Sequence, residues 1–181
     1  MSASKLRGRI LVVLWAARGP LTLQGIAEKV GLTFSSTMEY LMGLIKVKYV
    51  SVTQEDQYLI TNLGKQAIGM PKIDKDLASN ILKPVSIENS FHFYYDLDQY
   101  SDIYAKDLKD FVEKIQTVDI KSIDFHVSRK DFELWIRSLG DNELAKKIEL
   151  IRMKKISGEN LRTEIHQTVN SRCEELTKLL L

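Results

Sequence analysis

A single cysteine, Cys173, rules out an internal disulfide framework and any cysteine-based zinc site, and makes a reducing cytoplasm the expected compartment. Proline is almost as scarce: Pro20 closes the first helical stretch, and Pro71 and Pro84 fall where clean periodicity is lost. Long apolar runs are missing too. Ile10–Ala17 is far shorter than the roughly 20 residues a bilayer span needs, so no membrane contact is expected. The Arg18-Gly19-Pro20 that follows is not a small-residue cleavage site, so no signal peptide is expected. Net charge is nearly absent, with 26 Lys plus Arg against 24 Asp plus Glu, or +2. The remaining composition, 44% hydrophobic and 28% charged over 181 residues, fits an ordinary soluble globular protein of one large or two small domains.

The small net charge conceals an asymmetry. Residues 1–68 hold eight basic and four acidic side chains, a net of +4, and the remainder has a net of −2. A basic front joined to a mildly acidic back implies two functional parts, with any polyanion contact at the front.

In the front half, Ser4 is placed to cap a helix with Leu6, Ile10, Val13, Leu14 and Ala17 on one face, closed by Arg18-Gly19-Pro20. Thr22 caps a second, short helix ending at Gly31. Thr33 caps a third, whose apolar stripe is Phe34, Met38, Leu41, Met42 and Ile45. Residues 49–53 and 58–61 are β-favouring runs separated by the polar 54–57, a hairpin whose turn has no Gly or Asn to set its type. A last helix starts at Thr61.

This order resembles the archaeal and bacterial winged helix-turn-helix transcriptional regulators, in the manner of the MarR-like and PadR-like families. The resemblance rests on residues 19–23, on Ile26-Ala27 with Val30-Gly31-Leu32, on Tyr49-Val50 opening the wing and on residues 58–64 closing it. It implies that the third helix lies in a DNA major groove and that the hairpin touches backbone or minor groove. The outward face of that helix is expected to present Ser35, Ser36, Thr37, Tyr40, Gly43 and Lys46, whose hydroxyls can contact phosphates or bases. Arg7, Arg9, Lys46, Lys48 and Lys65 are the candidate phosphate contacts, and they make binding sensitive to salt. Two features depart from a sharply selective reader. The third helix has no Arg or Asn for a bidentate base contact, and the wing tip carries Glu55 and Asp56. They leave open an alternative in which the winged helix docks protein rather than DNA.

Residues 70–89 read as a linker, with a short helix before Lys83-Pro84. Beyond it, six of the fifteen aromatics fall within residues 91–104. Single-strand stacking is disfavoured there by Asp96, Asp98 and Asp102, so a buried aromatic cluster is expected. Helical start and stop signals follow: a helix from Ala105 to Val118, Asp119 capping the next, Ser128 capping Arg129–Leu139, Asp141 capping another and Ser157 the last. The expected fold is therefore mainly α. It comprises a winged helix-turn-helix with a small hairpin wing (1–69), a linker (70–89) and an all-helical C-terminal domain (90–181).

Residues 122–145, with Gly158–Arg162 and Arg172, resemble a family of uncharacterised helical domains with the pattern S-I-x-F-H-x-x-R-x-D-F-E-x-W-I, then L-G-D-x-E-L-A, then G-E-x-L-R. The resemblance implies a glycine where Lys130 stands, and hence a relaxed turn in this chain. It carries no activity. His126, Asp131 and Glu133 could be imagined as ligands or an acid–base set with His92. An Asp-x-Glu pair on one helix, however, points its carboxylates about 200° apart. A tied-down network is expected instead, with Arg129 or Arg162 on Asp131 or Glu133 and His126 as a satisfied polar residue. His166 is read as a bystander and Cys173 as packing. No catalytic residue, metal or cofactor is assigned, and no enzyme is expected. The overall expectation is a cytoplasmic, homodimeric regulator binding double-stranded DNA. The C-terminal domain would serve dimerisation or the sensing of a small-molecule or protein effector, and either the first or the last helix would supply the dimer interface.

Overall fold

In the computed structural model, which describes residues 3–181, the chain divides into one unit ending at Lys72 and another spanning Ile73–Leu181. In the first unit, α1 (Ala3–Ala16), α2 (Leu23–Val30), α3 (Phe34–Lys46), β1 (Val50–Val52), β2 (Tyr58–Ile60) and α4 (Asn62–Ala67) follow in the order the sequence predicts. Three threonines begin three of these helices. The side-chain oxygens of Thr22, Thr33 and Thr61 accept from the backbone N–H three residues on, satisfying a donor the helix leaves orphaned. Gly31 ends α2 at φ 67°, and its N–H donates to the carbonyls of Ala27 and Glu28.

Strands β1 and β2 pair antiparallel, Val50 opposite Ile60 and Val52 opposite Tyr58. The tight connection is made by Asp56 at φ 54° and by Thr53, whose hydroxyl accepts from the N–H of Glu55 and Gln57. An aspartate and a threonine thus do what the missing Gly or Asn would have done. Leu21 and Tyr58 exchange backbone hydrogen bonds of 3.0 and 2.8 Å, tying the loop before α2 to the hairpin. Ile10, Leu14, Ile26, Val30, Leu41, Leu44, Val50 and Tyr58 form the core.

Two local expectations change here. α1 is already helical at Ala3, so Ser4 lies within it rather than capping it. The buried face of α3 is Thr37, Leu41 and Leu44, whereas Phe34 and Met42 are 61% and 58% exposed. Seating Leu41 and Leu44 turns the buried centre of α3 towards Thr37 and away from Phe34 and Met42, while Met38 and Ile45 stay packed at its edge.

The second unit contains α5 (Lys75–Leu82), a short 3-10 turn (Ile87–Asn89), β3 (Phe91–Asp96), β4 (Gln99–Ala105), α6 (Leu108–Thr117), α7 (Ile120–Arg129), α8 (Asp131–Ser138), α9 (Asn142–Met153) and α10 (Gly158–Lys178). It is not all-helical. Residues 91–105 form an antiparallel hairpin, and its burial alternates: Phe91 and Phe93 are buried while His92 and Tyr94 are half-buried. β-favouring aromatics and a period of two override the helical reading. Ala105 accordingly ends a strand, and the next helix starts after Asp107, which caps it.

Nor is 70–89 a plain linker. Ala78 and Ile81 of α5 belong to the second core, and the indole N–H of Trp135 donates to the Asn89 carbonyl at 3.0 Å. Phe91 is the hub of that core, its ring 4.8–5.6 Å from those of Phe93, Phe111, His126, Phe132 and Trp135. Asp119 and Asp141 cap α7 and α9 as expected. Ser128 does not cap α8. It lies inside α7 with its hydroxyl on the Phe125 carbonyl, and Lys130 joins the two helices at φ 67°. The tight turn is therefore kept, with a lysine in the left-handed conformation rather than relaxed. Ser157 stands at the N-cap position of α10 but makes no side-chain capping bond. None of the helices described is long and apolar enough to cross a membrane.

Candidate nucleic-acid interface

The solvent side of α3 is built from one end to the other by its cap and its spacing. Thr33 holds the N-terminus, and its hydroxyl donates to Ser36 Oγ at 3.0 Å while accepting from the Ser36 N–H at 3.2 Å. Ser36 is thereby half-buried and committed to the cap, whereas Ser35 and Lys46 are exposed. Tyr40 is half-buried and packs on the core with its flank. Thr37 is not on this face at all. It is wholly buried, and its hydroxyl donates to the Thr33 carbonyl at 2.9 Å, so it offers nothing to a ligand.

The expected cations fall into two groups. Arg7 of α1 reaches across to α3, where its guanidinium lies against Gly43: a side-chain carbon built there would stand 3.6 Å from Arg7 Nη2. The Arg7 guanidinium thus lies in ordinary contact range of α3 at Gly43. Lys46 and Lys48 are exposed at the end of α3 and just beyond it, Lys48 at φ 61°. Arg9 is directed elsewhere, donating to the Val30 carbonyl at 2.9 Å and supplying positive charge at the C-terminus of α2. Lys65 is half-buried on α4. Arg7, Ser35, Tyr40, Lys46 and Lys48 therefore remain the accessible set. The hairpin tip carries exposed Glu55 and Asp56.

Gly64 determines how close the hairpin and α4 come. A Cβ at this position would stand 2.2 Å from the Tyr49 carbonyl oxygen and 2.8 Å from Ile60. The Thr61-x-x-Gly64 spacing in the sequence was the available signal.

In the second unit His126 and Arg129 share Asp131, while Glu133 and Arg162 go to other partners. His126 is buried, its Nδ1 2.8 Å from Asp131 Oδ2 and its Nε2 accepting the backbone N–H of Tyr94 at 2.8 Å. A backbone N–H can only donate, so Nε2 is bare and Nδ1 carries the proton. Burial lowers the His126 pKa, against the pull of Asp131. Arg129 pairs with Asp131 at 3.2 Å, one of the pairings expected. Glu133 instead takes Arg152 at 2.7 Å, and Arg162 binds Glu159 and the Ile115 carbonyl. Among the described residues no three His, Cys, Asp or Glu side chains gather as a metal-binding group.

A charge cluster of Asp141, Glu143 and Arg172 is buried and joins the start of α9 to α10. The D-x-E of the L-G-D-x-E-L-A segment was its only local sign. Cys173 beside it is buried, and that burial pushes its thiol up to about 12, which suits packing rather than nucleophilic chemistry.

Residues 105–170 match a family of unknown function (DUF5752). The match covers α6 to α9 and most of α10, and takes in His126, Asp131, Asp141 and Glu143 but not Arg172. The first unit and nearly all of the β3–β4 hairpin lie outside it. No curated protein and no solved structure matches the chain.

Proposed function

We propose that the first unit is a winged helix-turn-helix that binds double-stranded DNA, and that the chain acts as a transcriptional regulator. The observation that carries this reading is the outer side of α3, where exposed Ser35 and Lys46 lie on the same helix as Gly43 and the Arg7 guanidinium against it. Hydroxyls and cations on an exposed helix are what a duplex contacts. The helix order, the hairpin after α3 and the net +4 of residues 1–68 support it. Binding is weakly selective, because α3 has no Arg or Asn to grip a base edge. The second unit supplies dimerisation or senses an effector.

The test is fluorescence anisotropy of a labelled 24-base-pair duplex at two salt concentrations. Binding is expected at low salt and weaker at high salt, and Arg7→Ala and Lys46→Ala should each reduce the salt slope by about one. No binding at low salt, or binding indifferent to both substitutions, overturns the reading.

A second reading has its own observation. Phe34 and Met42 on α3 and Val47 just after it are each more than half exposed, and the hairpin tip is acidic. An apolar helix flank of this kind docks protein, and the unit would then be an adaptor. Loss of a protein partner on Phe34→Ser, with no duplex binding at low salt, favours it.

A further inference from the structure

The outer face of the β3–β4 hairpin is not used by the function proposed above, and its chemistry is specific. Tyr94 lies opposite Tyr100 with ring centroids 5.5 Å apart, and His92 lies opposite Tyr104 at 5.7 Å. Tyr100 is 73% exposed and Leu97, in the hairpin turn, is 66% exposed. Residues 91–105 contain Asp96, Asp98 and Asp102, all exposed, and no Lys or Arg. Among the described residues neither Asp98 nor Asp102 is in an ion pair. Where β4 ends, the chain itself puts a cation on one of these rings: Lys106 Nζ lies 5.6 Å from the centre of Tyr104. The face ends there, because the hollow beyond Tyr104 and Asp102 is lined by Lys106 and Lys114 as well as Asp110.

We propose that this face docks an extended, arginine- or lysine-bearing segment of a partner protein. Electron-rich ring faces attract cations, and Arg most of all because its plane can stack. The unpaired carboxylates beside the rings supply the complementary charge, and they repel phosphate, which disfavours a nucleic acid here. Length argues for a chain rather than a single small cation. Asp98 and Asp102, neither in an ion pair, are four residues apart, up to roughly 13 Å at strand rise, more than one ammonium or guanidinium spans. The occupant therefore carries at least two cations in an extended segment.

The experiment uses the full chain and two fluorescein-labelled decapeptides, alternating Arg-Gly and alternating Glu-Gly. The Arg-Gly peptide is expected to bind at low salt and the Glu-Gly peptide not to bind. Tyr100→Ala should weaken binding about threefold and Tyr100→Phe should retain it. Asp98→Asn with Asp102→Asn should weaken it by about tenfold, an effect that shrinks at high salt. All these positions are exposed, so the fold is not put at risk. Failure of the Arg-Gly peptide to bind, or equal binding by wild type and the Tyr100 and Asp variants, overturns the proposal. So does weakened binding of a labelled dT15 oligonucleotide by Tyr100→Ala with peptide binding unchanged, because the face would then serve nucleic acid. The duplex titration with Arg7 and Lys46 variants reads the other unit, so either idea can fail alone.

Discussion

Arg172 grips Asp141 bidentately through one edge of its guanidinium, Nε at 2.7 Å from Oδ2 and Nη2 at 2.9 Å from Oδ1, across 31 residues of chain. Both side chains are buried. Arg172 also reaches Glu143 at 2.9 Å and the more exposed Glu175 at 2.8 Å. Burial opposes the charge on Arg172, but Asp141 and the two glutamates outweigh it and hold the guanidinium protonated. Asp141 serves a second purpose by accepting the Leu144 N–H and capping α9. Arg172→Met is expected to cost about 3–5 kcal/mol, because it strands two buried carboxylates rather than simply removing a pair. Urea denaturation at neutral pH measures it, and a loss below about 1 kcal/mol would contradict the role given to the pair.

Gly64 permits the hairpin and α4 to touch. Gly64→Ala forces a carbon onto the Tyr49 carbonyl, and since the obstacle is backbone, no side chain can swing aside. A loss of about 2–3 kcal/mol is expected in the first unit. Faster hydrogen exchange at the β1 and β2 amides, with the second unit unchanged, is the signature.

His126 makes the second unit sensitive to acid. Its pKa in the fold lies below the ordinary 6.5, so the fold favours the neutral ring. The resulting stability is fully present above pH 6.5 and is lost as pH falls through the lowered value. Protonation places a hydrogen on Nε2, facing the Tyr94 N–H that it now accepts. Wild type should therefore lose more stability than His126→Asn between about pH 7.5 and pH 5, as read by urea unfolding at the two pH values. Parallel losses would show that other groups set the acid sensitivity.

Ser122 is wholly buried and its hydroxyl has no hydrogen-bond partner. An unsatisfied buried hydroxyl costs about 1–3 kcal/mol, so Ser122→Ala is expected to be neutral or stabilising by up to about 1 kcal/mol. A thermal melt that drops on this substitution would mean that the hydroxyl does have a partner in solution.

Lys130 occupies φ 67°, ψ 18° between α7 and α8, a region that a β-carbon disfavours. Lys130→Gly should stabilise the second unit by roughly 0.5–1 kcal/mol, the relief of strain being partly offset by glycine's greater freedom when unfolded. Chemical denaturation of the single variant decides it.

What the sequence determined by itself was what is settled within a few residues. Thr22, Thr33, Asp119 and Asp141 were readable as helix starts because a cap accepts from a backbone N–H two or three residues away. The pairing of Arg129 with Asp131 is equally local. Ser128 lies inside α7 because Lys130, two residues on, takes the left-handed turn and sets the helix boundary beyond it. Only tertiary structure decided the rest. Thr37 turned inward because α3 rotated to bury Leu41 and Leu44. Residues 91–105 became a hairpin because Phe91 and Phe93 could then share a core with Phe111 and Phe132, contacts made across up to forty-one positions of sequence. Arg152 reached Glu133 and Arg172 reached Asp141 through helices brought together by apolar burial. Burial is collective: it chooses which face of each element turns inward, and no single segment carries that choice alone.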